Sequence, residues 1–457
     1  MTPMKNYTRT ITILALIATL CSCSLFKNTQ ETDIKAKEEI ENTVSTEYTA
    51  PRTIATNVRY EVDLDTLVGN GYTFELPESM NANIDSLLNS WQARNMLHKF
   101  DGEGAESEPV QITDTMYAKR LAALPTIVRM PYNNMVRACI DRYTKKGRSQ
   151  VSYLLGISEY YFPIIEEEID RIGVPRELKY LPIIESALNP KATSRAGAKG
   201  LWQFMFHTGK LYGLKANNYI DERFDPVKAT SAALHYLKDL YDMFQNWELA
   251  IAAYNCGPGN VKKAILRSGG STDFWKIYPW LPRETRGYLP GFIAASYIMT
   301  YYEDHGICPM KPELPIATDT IHVNRNLHFN QIVEVCGADI QELRTLNPQF
   351  LKDIIPGENE TYVLRLTNNT ITKFVENEDT VYKHNADKYF PKTDIEKMLK
   401  EAKANTGAGN MIRHKIKNGE TLGSIAIKYR VSVKQIMKWN NLKNSNIRAG
   451  KYLKIYK

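Results

Sequence analysis

The sequence predicts a mainly α protein, an all-α body followed by two small α+β modules of βααβ order. Three observations predict this. From Asn81 to Tyr302 the apolar residues recur at helical spacing, punctuated by Gly and Pro. Beyond about Pro315 a repeat appears at an offset of 93 residues, pairing Val323 with Ile416, Phe329 with Leu422, Ile332 with Ile425, Ile340 with Val433, Leu343 with Ile436, Asn347 with Asn440 and Gly357 with Gly450. The length of 457 residues, at 43% hydrophobic and 24% charged, suits several domains with cores of their own and excludes a disordered chain.

At the N-terminus, Lys5 and Arg9 precede the apolar run Ile11 to Leu20, which is too short to span a bilayer and suits a secretory signal over residues 1–22. Ser22 before Cys23 has the form of a bacterial lipobox, making Cys23 the lipidated first residue of the mature chain; a plain signal peptide is the alternative. Residues 23–80 are polar, mixed in charge and without sustained periodicity, and read as a tether with a short strand near Tyr60 to Leu67. A helical N-terminal region spans 81–150. Ile84, Leu87, Leu88 and Trp91 form its first stripe, Asp101 to Glu108 a loop, and Tyr132 to Lys145 a helix. The main helical domain spans 151–305, with a helix over Ser149 to Ile172.

Gly173 ends that helix and Pro175 opens the next, which Asn189-Pro190 closes. Pro182 inside it predicts a kink. Ser194 to Gly200 forms a loop, Asp225-Pro226 caps a helix to about Gln245, Trp247 to Asn255 forms another, and Gly257-Pro258-Gly259 turns into a helix from near Val261. The repeat copies lie at 318–368 and 411–457, joined by a linker over 369–410 with a helix at Thr393 to Ala404. In the second copy Asn418-Gly419 makes a turn, and Thr421 and Ser432 are N-caps. The first copy departs from it: Asn326-Leu327-His328 replaces Gly419-Glu420-Thr421, with an insertion at Glu358 to Glu360.

The chemistry centres on Glu185. Leu178, Leu181, Glu185 and Leu188 share one helical stripe, so a carboxylate sits where an apolar residue belongs. Desolvation raises the pKa of such a group. At ~4.3 about one glutamate in 500 is protonated at pH 7, and at ~6 roughly one in ten, enough for a general acid. The bland reading is a solvated helix-end glutamate. Downstream stand Gly200-Leu201-Trp202-Gln203-Phe204-Met205, Ala252-Ala253-Tyr254-Asn255-Cys256-Gly257 and Pro282-Arg283-Glu284-Thr285-Arg286-Gly287-Tyr288.

With Glu185-Ser186, these boxes in this order resemble the lytic murein transglycosylases of the lysozyme-like, soluble-lytic-transglycosylase class, and among them the membrane-bound type D enzymes that carry LysM repeats. The resemblance implies a lysozyme-like fold for the helical domain and LysM folds, binding N-acetylglucosamine-containing glycans, for the repeats. Its first copy departs from the LysM pattern and reads as a degenerate module, either binding glycan or acting as a spacer. The resemblance also implies Glu185 as the catalytic acid and then base, with Ser186, Gln203, Met205, Tyr254, Asn255 and Tyr288 as substrate-binding residues. Most glycosidases use two carboxylates; here the C6 hydroxyl of the muramoyl sugar attacks, giving 1,6-anhydro ends. No second carboxylate lies in the Glu185, Gln203 or Tyr254 boxes.

Each residue has a bland reading too. Ser186 either orients Glu185 or caps the helix, Tyr254 and Asn255 either line the cleft or end a helix, and Met205 and Tyr288 either contact sugar or only pack. Trp202 reads as core. His207 and His235 lack partners at metal spacing, so no metal and no organic cofactor is expected. Cys139, Cys256, Cys308 and Cys336 read as buried free thiols. From Met411 to Lys457 twelve Lys or Arg face the single acid Glu420, a net of +11 that leaves the remainder at −4 within the chain's +7. In an exported protein this favours the anionic peptidoglycan wall over nucleic acid as partner. The expected location is the periplasmic face of the outer membrane. A lysozyme-like muramidase and a non-catalytic wall-binding lipoprotein are the rival readings.

Overall fold

The computed structural model describes residues 73–89, 93, 97, 110–311, 317–358, 360–391 and 411–456, apart from 430, 441 and 443. The signal, Cys23, the strand near Tyr60, Trp91, the Asp101 to Glu108 loop and the Thr393 to Ala404 helix lie outside the described residues.

The body is helical, as its periodicity predicts. Its centre is the helix Trp247–Cys256, apolar nearly all round, with Leu249, Ala250, Ile251, Ala252 and Ala253 fully buried. Asn246 caps it by accepting from the Glu248 and Leu249 amides. Around it pack Pro226–Phe244, Pro258–Arg267 and Arg283–Tyr301, and Arg148–Ile172 packs in turn on Pro226–Phe244 and Arg283–Tyr301. Asp225 caps Pro226–Phe244 through the Val227 and Lys228 amides, and left-handed Gly173 closes Arg148–Ile172. The turn Gly257-Pro258-Gly259 is tighter than expected, because the next helix begins at Pro258 itself, whose missing N–H costs nothing at a helix start.

Several expectations differ from the structure. The boundary drawn between 81–150 and 151–305 falls inside the helix Arg148–Ile172, and one apolar core runs from Met80 to Met310. A helix at Asp114–Ala123, weakly amphipathic and not anticipated, carries Tyr117 against Tyr297, and Arg120 donates to the Tyr297 hydroxyl. The tether does not extend to Met80, since Met80 is fully buried and Phe74 and Leu76 pack on the same core. Pro182 does not kink a long helix. Arg176–Tyr180 is a 3₁₀ turn, and the α-helix Leu181–Ser186 starts afresh with Pro182 in its first turn, where proline is tolerated.

The first repeat copy pairs Thr318–Val323 antiparallel with Tyr362–Thr367 and adds a short pair, Asn326–His328 with Ile354–Pro356. His328, standing where the second copy has Thr421, closes a capping box with Gln331. The linker expected from 369 is corrected: Asn368–Glu376, Glu378–Lys383 and Ala386–Tyr389 are helices, and Phe374, Val381 and Tyr382 join the copy's core. That core also takes in Tyr219 and Ile220 from the body, where the Leu351 amide donates to the Tyr219 carbonyl at 2.8 Å and the Asp221 amide to the Gln349 carbonyl at 2.9 Å. In the second copy Met411–Lys415 pairs with Tyr452–Tyr456, Gly419 turns with φ 85°, and Ser432 caps the helix Val433–Trp439. The repeat holds in detail. Asn347 bonds both ways to the Arg365 backbone, and Asn440 does the same to Lys454. Of the four thiols only Cys139 and Cys336 are buried; Cys256 is half-buried and Cys308 exposed, a correction to the expectation of four buried ones.

Candidate active site

Glu185 is the penultimate residue of the Leu181–Ser186 helix, which ends because Ala187 and Leu188 both adopt positive φ. The apolar flanks Leu181, Ile183, Ile184 and Leu188 are buried and fix the helix end in the core, while Glu185 itself opens onto a cleft of about 940 Å³. Opposite stands the loop from Ser194 to Met205. Gly200 must be glycine: its φ is +82° and a Cβ would lie 1.8 Å from the Arg223 carbonyl oxygen. The Lys199 and Phe204 backbones exchange hydrogen bonds across the turn, which carries Gln203 at φ 46°. Beneath the loop, buried Arg223 makes a bidentate pair with Asp221 at 2.7 and 2.8 Å, and Lys199 joins at 3.1 Å. Burial alone would raise the Asp221 pKa, but these cations hold it below the usual range.

Tyr288 lies on the Arg283–Tyr301 helix, and its hydroxyl donates to Glu185 Oε1 at 2.5 Å. Tyr254 donates to the Trp202 carbonyl at 2.7 Å, tying the central helix to the loop. Burial pushes the Glu185 carboxyl up to about 7, and the Tyr288 hydrogen bond pulls against that by favouring the carboxylate. Burial also raises both tyrosine hydroxyls far above their ordinary value, so both stay protonated as donors. A carboxyl near pH 7 can both give and take back a proton.

The Transglycosylase SLT domain model matches residues 162–277, the LysM-like domain model of lytic transglycosylase MltD matches 317–383, and the LysM domain model matches 414–455. The membrane-bound lytic murein transglycosylase D of Escherichia coli (strain K12) is 31% identical over 336 residues, 71% of this chain and 70% of that protein. The chain belongs to the lytic murein transglycosylase D family. The soluble lytic murein transglycosylase of Escherichia coli (strain K12) is 33% identical over 141 residues, 30% of this chain and 21% of that one. The crystal structure of the 70 kDa soluble lytic transglycosylase from Escherichia coli aligns over 38% of this chain and 30% of that chain, at 24% identity and a TM-score of 0.29.

In this member of the transglycosylase D family the cleft brings together Glu185, Gln203, Met205, Tyr254, Asn255 and Tyr288. Ser186 is not among them, which corrects its expected place as a substrate-binding residue. It is buried, and its hydroxyl donates to the Leu201 carbonyl at 2.9 Å and the Pro182 carbonyl at 3.1 Å, tying the glutamate's helix to the facing loop. Gln203 donates its amide N–H to the Gly200 carbonyl at 2.8 Å. Met205 is 47% exposed, an apolar surface at the cleft. Asn255 does not end its helix, which runs on to Cys256; it accepts from Thr285 at 2.8 Å. Trp202 is core, fully buried with its indole N–H on Thr230.

Sequence reasoning missed Tyr236, whose ring lies 5.4 Å from that of Tyr254, and Glu75, Glu78, Glu284 and Arg195 along the cleft. Glu75 and Glu78 lie outside all four boxes, whereas Glu284 lies within the fourth, Pro282 to Tyr288. Asp221-Glu222-Arg223 between Ile220 and Phe224 was the readable signal for the buried ion pair.

Tyr288→Phe removes a hydrogen bond to the charged form of Glu185, of a kind worth about 1.5–3 kcal/mol, or roughly one to two pKa units. The alkaline limb of the pH–turnover profile should therefore move up by roughly one unit or more. Turnover of soluble glycan between pH 5 and 9 checks this, and an unmoved limb contradicts the assignment of that limb to Glu185.

Proposed function

We propose that the chain is a peptidoglycan lytic transglycosylase that cleaves the β-1,4 bond between N-acetylmuramic acid and N-acetylglucosamine. Glu185 gives its proton to the glycosidic oxygen as the bond to the anomeric carbon breaks. The C6 hydroxyl of the same muramoyl sugar then bonds to that carbon and returns its proton to Glu185, leaving a 1,6-anhydro end and consuming no water. One observation carries the reading: Glu185 opens onto the cleft at the end of a buried helix, with the Tyr288 hydroxyl 2.5 Å from its Oε1 and burial lifting its carboxyl to about 7, so one residue can both give and take back a proton. Tyr288, Tyr254, Gln203 and Met205 hold and orient the sugars, and Ser186 fixes the helix end.

The N-terminal signal and Ser22-Cys23 support a lipid anchor on the periplasmic face of the outer membrane, and the relative named membrane-bound supports membrane association. The LysM match and the net charge of residues 411–457 support wall binding by the terminal module. Incubation with purified sacculi tests the reading. The full chain should release soluble muropeptides, which a non-catalytic wall-binding lipoprotein would not. A chain ending at residue 410 should turn over soluble glycan nearly as fast yet be retained less on sacculi. Retention of the full chain should also weaken with salt, since exposed charges are screened over ~8 Å at physiological ionic strength. Retention indifferent to the deletion contradicts a binding role for this module.

A further inference from the structure

We propose that residues 73–80 brace the Glu185–Tyr288 pair, with Ser79 acting as a positioning residue for Glu185. The inference rests on the reading of Glu185 as proton donor, and it concerns a segment that precedes the matched SLT region at 162–277. The Leu181–Ser186 helix is short, so its last carbonyls have no helical partners. The Ala187 amide returns to Ile183 and the Leu188 amide to Pro182, which leaves the carbonyl of Ile184, the residue before Glu185. Ser79 supplies the missing donor: its hydroxyl reaches the Ile184 oxygen at 2.5 Å in a buried setting. Gln150 holds Ser79 in turn, donating from Nε2 to the Ser79 carbonyl at 2.6 Å.

The other end of the segment lies on the Arg283–Tyr301 helix. The Glu75 amide donates to the Arg283 carbonyl at 3.2 Å, and the Arg286 guanidinium to the Thr73 carbonyl at 3.2 Å. Gly287 admits the segment, because a Cβ there would lie 1.9 Å from the Glu75 carbonyl oxygen. Gly287 is the residue before Tyr288. One segment thus bonds the residue before the carboxyl and packs on the residue before its phenol, while its own Glu75 to Glu78 line the cleft. A contact of 2.5 Å between the two side chains tolerates little drift of either helix.

Steady-state kinetics on soluble glycan tests this. Ser79→Ala should lower kcat about tenfold, since small misplacements of a reacting group are costly, with KM within about twofold. In a Tyr288→Phe background, where the pair no longer exists, the same substitution should cost less than about twofold, the non-additivity of residues acting as a unit. Gly287→Ala displaces Glu75 without touching Ser79 and should give the same kcat-selective loss. An unchanged kcat in Ser79→Ala, or equal fold-losses with and without Tyr288, overturns the proposal. Glu185→Gln run alongside separates this failure from failure of the underlying reading, because it should lose turnover whatever Ser79 does.

Discussion

Glu185→Gln should lower turnover about 10,000-fold, the upper end of what general acid–base catalysis supplies, because one residue carries both proton transfers. Glutamine keeps the shape and can still accept from Tyr288, but it has no proton to give. Retention of more than about a tenth of the activity would sink the assignment. The same substitution has a stability signature of opposite sign. The folded Glu185 titrates near 7 against 4.5 for a free glutamate, so the folded state binds its proton more tightly. Stability from this group is therefore full below about 4.5 and falls as pH rises through 7, a loss on the order of 3 kcal/mol. Glu185→Gln should accordingly raise the melting temperature at pH 8 and leave it little changed at pH 4.

Asp221→Ala should produce the largest loss of stability. It removes the anion from a site where the Arg223 side chain is 6% exposed, leaving that guanidinium and the Lys199 ammonium uncompensated. Breaking a buried pair from one side costs about 3–5 kcal/mol, or roughly 10 °C in melting temperature for a body of this size. Activity should fall as well, because Arg223 also holds the Gly197 and Phe204 carbonyls of the loop that carries Gln203. Thermal unfolding followed by circular dichroism measures the effect, and a change below about 1 kcal/mol would mean that the loop stands without the pair.

Much of this architecture is legible in local chemistry. Asp225-Pro226, Asn246 and Gly173 mark helix ends because capping is a property of a few consecutive residues. Repeat positions such as Asn347 and Asn440 carry over because each copy must solve the same packing problem. Glu185 stood out because a carboxylate broke an apolar stripe. What was not legible depends on contacts distant in sequence. Tyr288 reaches Glu185 across 103 residues and Ser79 reaches Ile184 across 105, and nothing in either local sequence names its partner. The polar, aperiodic run up to Met80 reads as a tether because Phe74, Leu76 and Met80 at its end follow no local period and find their core elsewhere in the chain. Ser186 reads as a cleft residue by adjacency to Glu185, yet consecutive helical residues point about 100° apart, and its hydroxyl turns to Leu201.

The central claim is that a single carboxyl cuts the glycan without water, and the mass of the products tests it most directly. If the C6 hydroxyl attacks, each cut yields an anhydro-muramoyl end lighter by one water than the hydrolytic product and resistant to borohydride. Mass spectrometry of a sacculus digest should show anhydro-muropeptides as the main species, unchanged by borohydride treatment. Predominantly reducible muropeptides would contradict the account and make the protein a muramidase on the same fold.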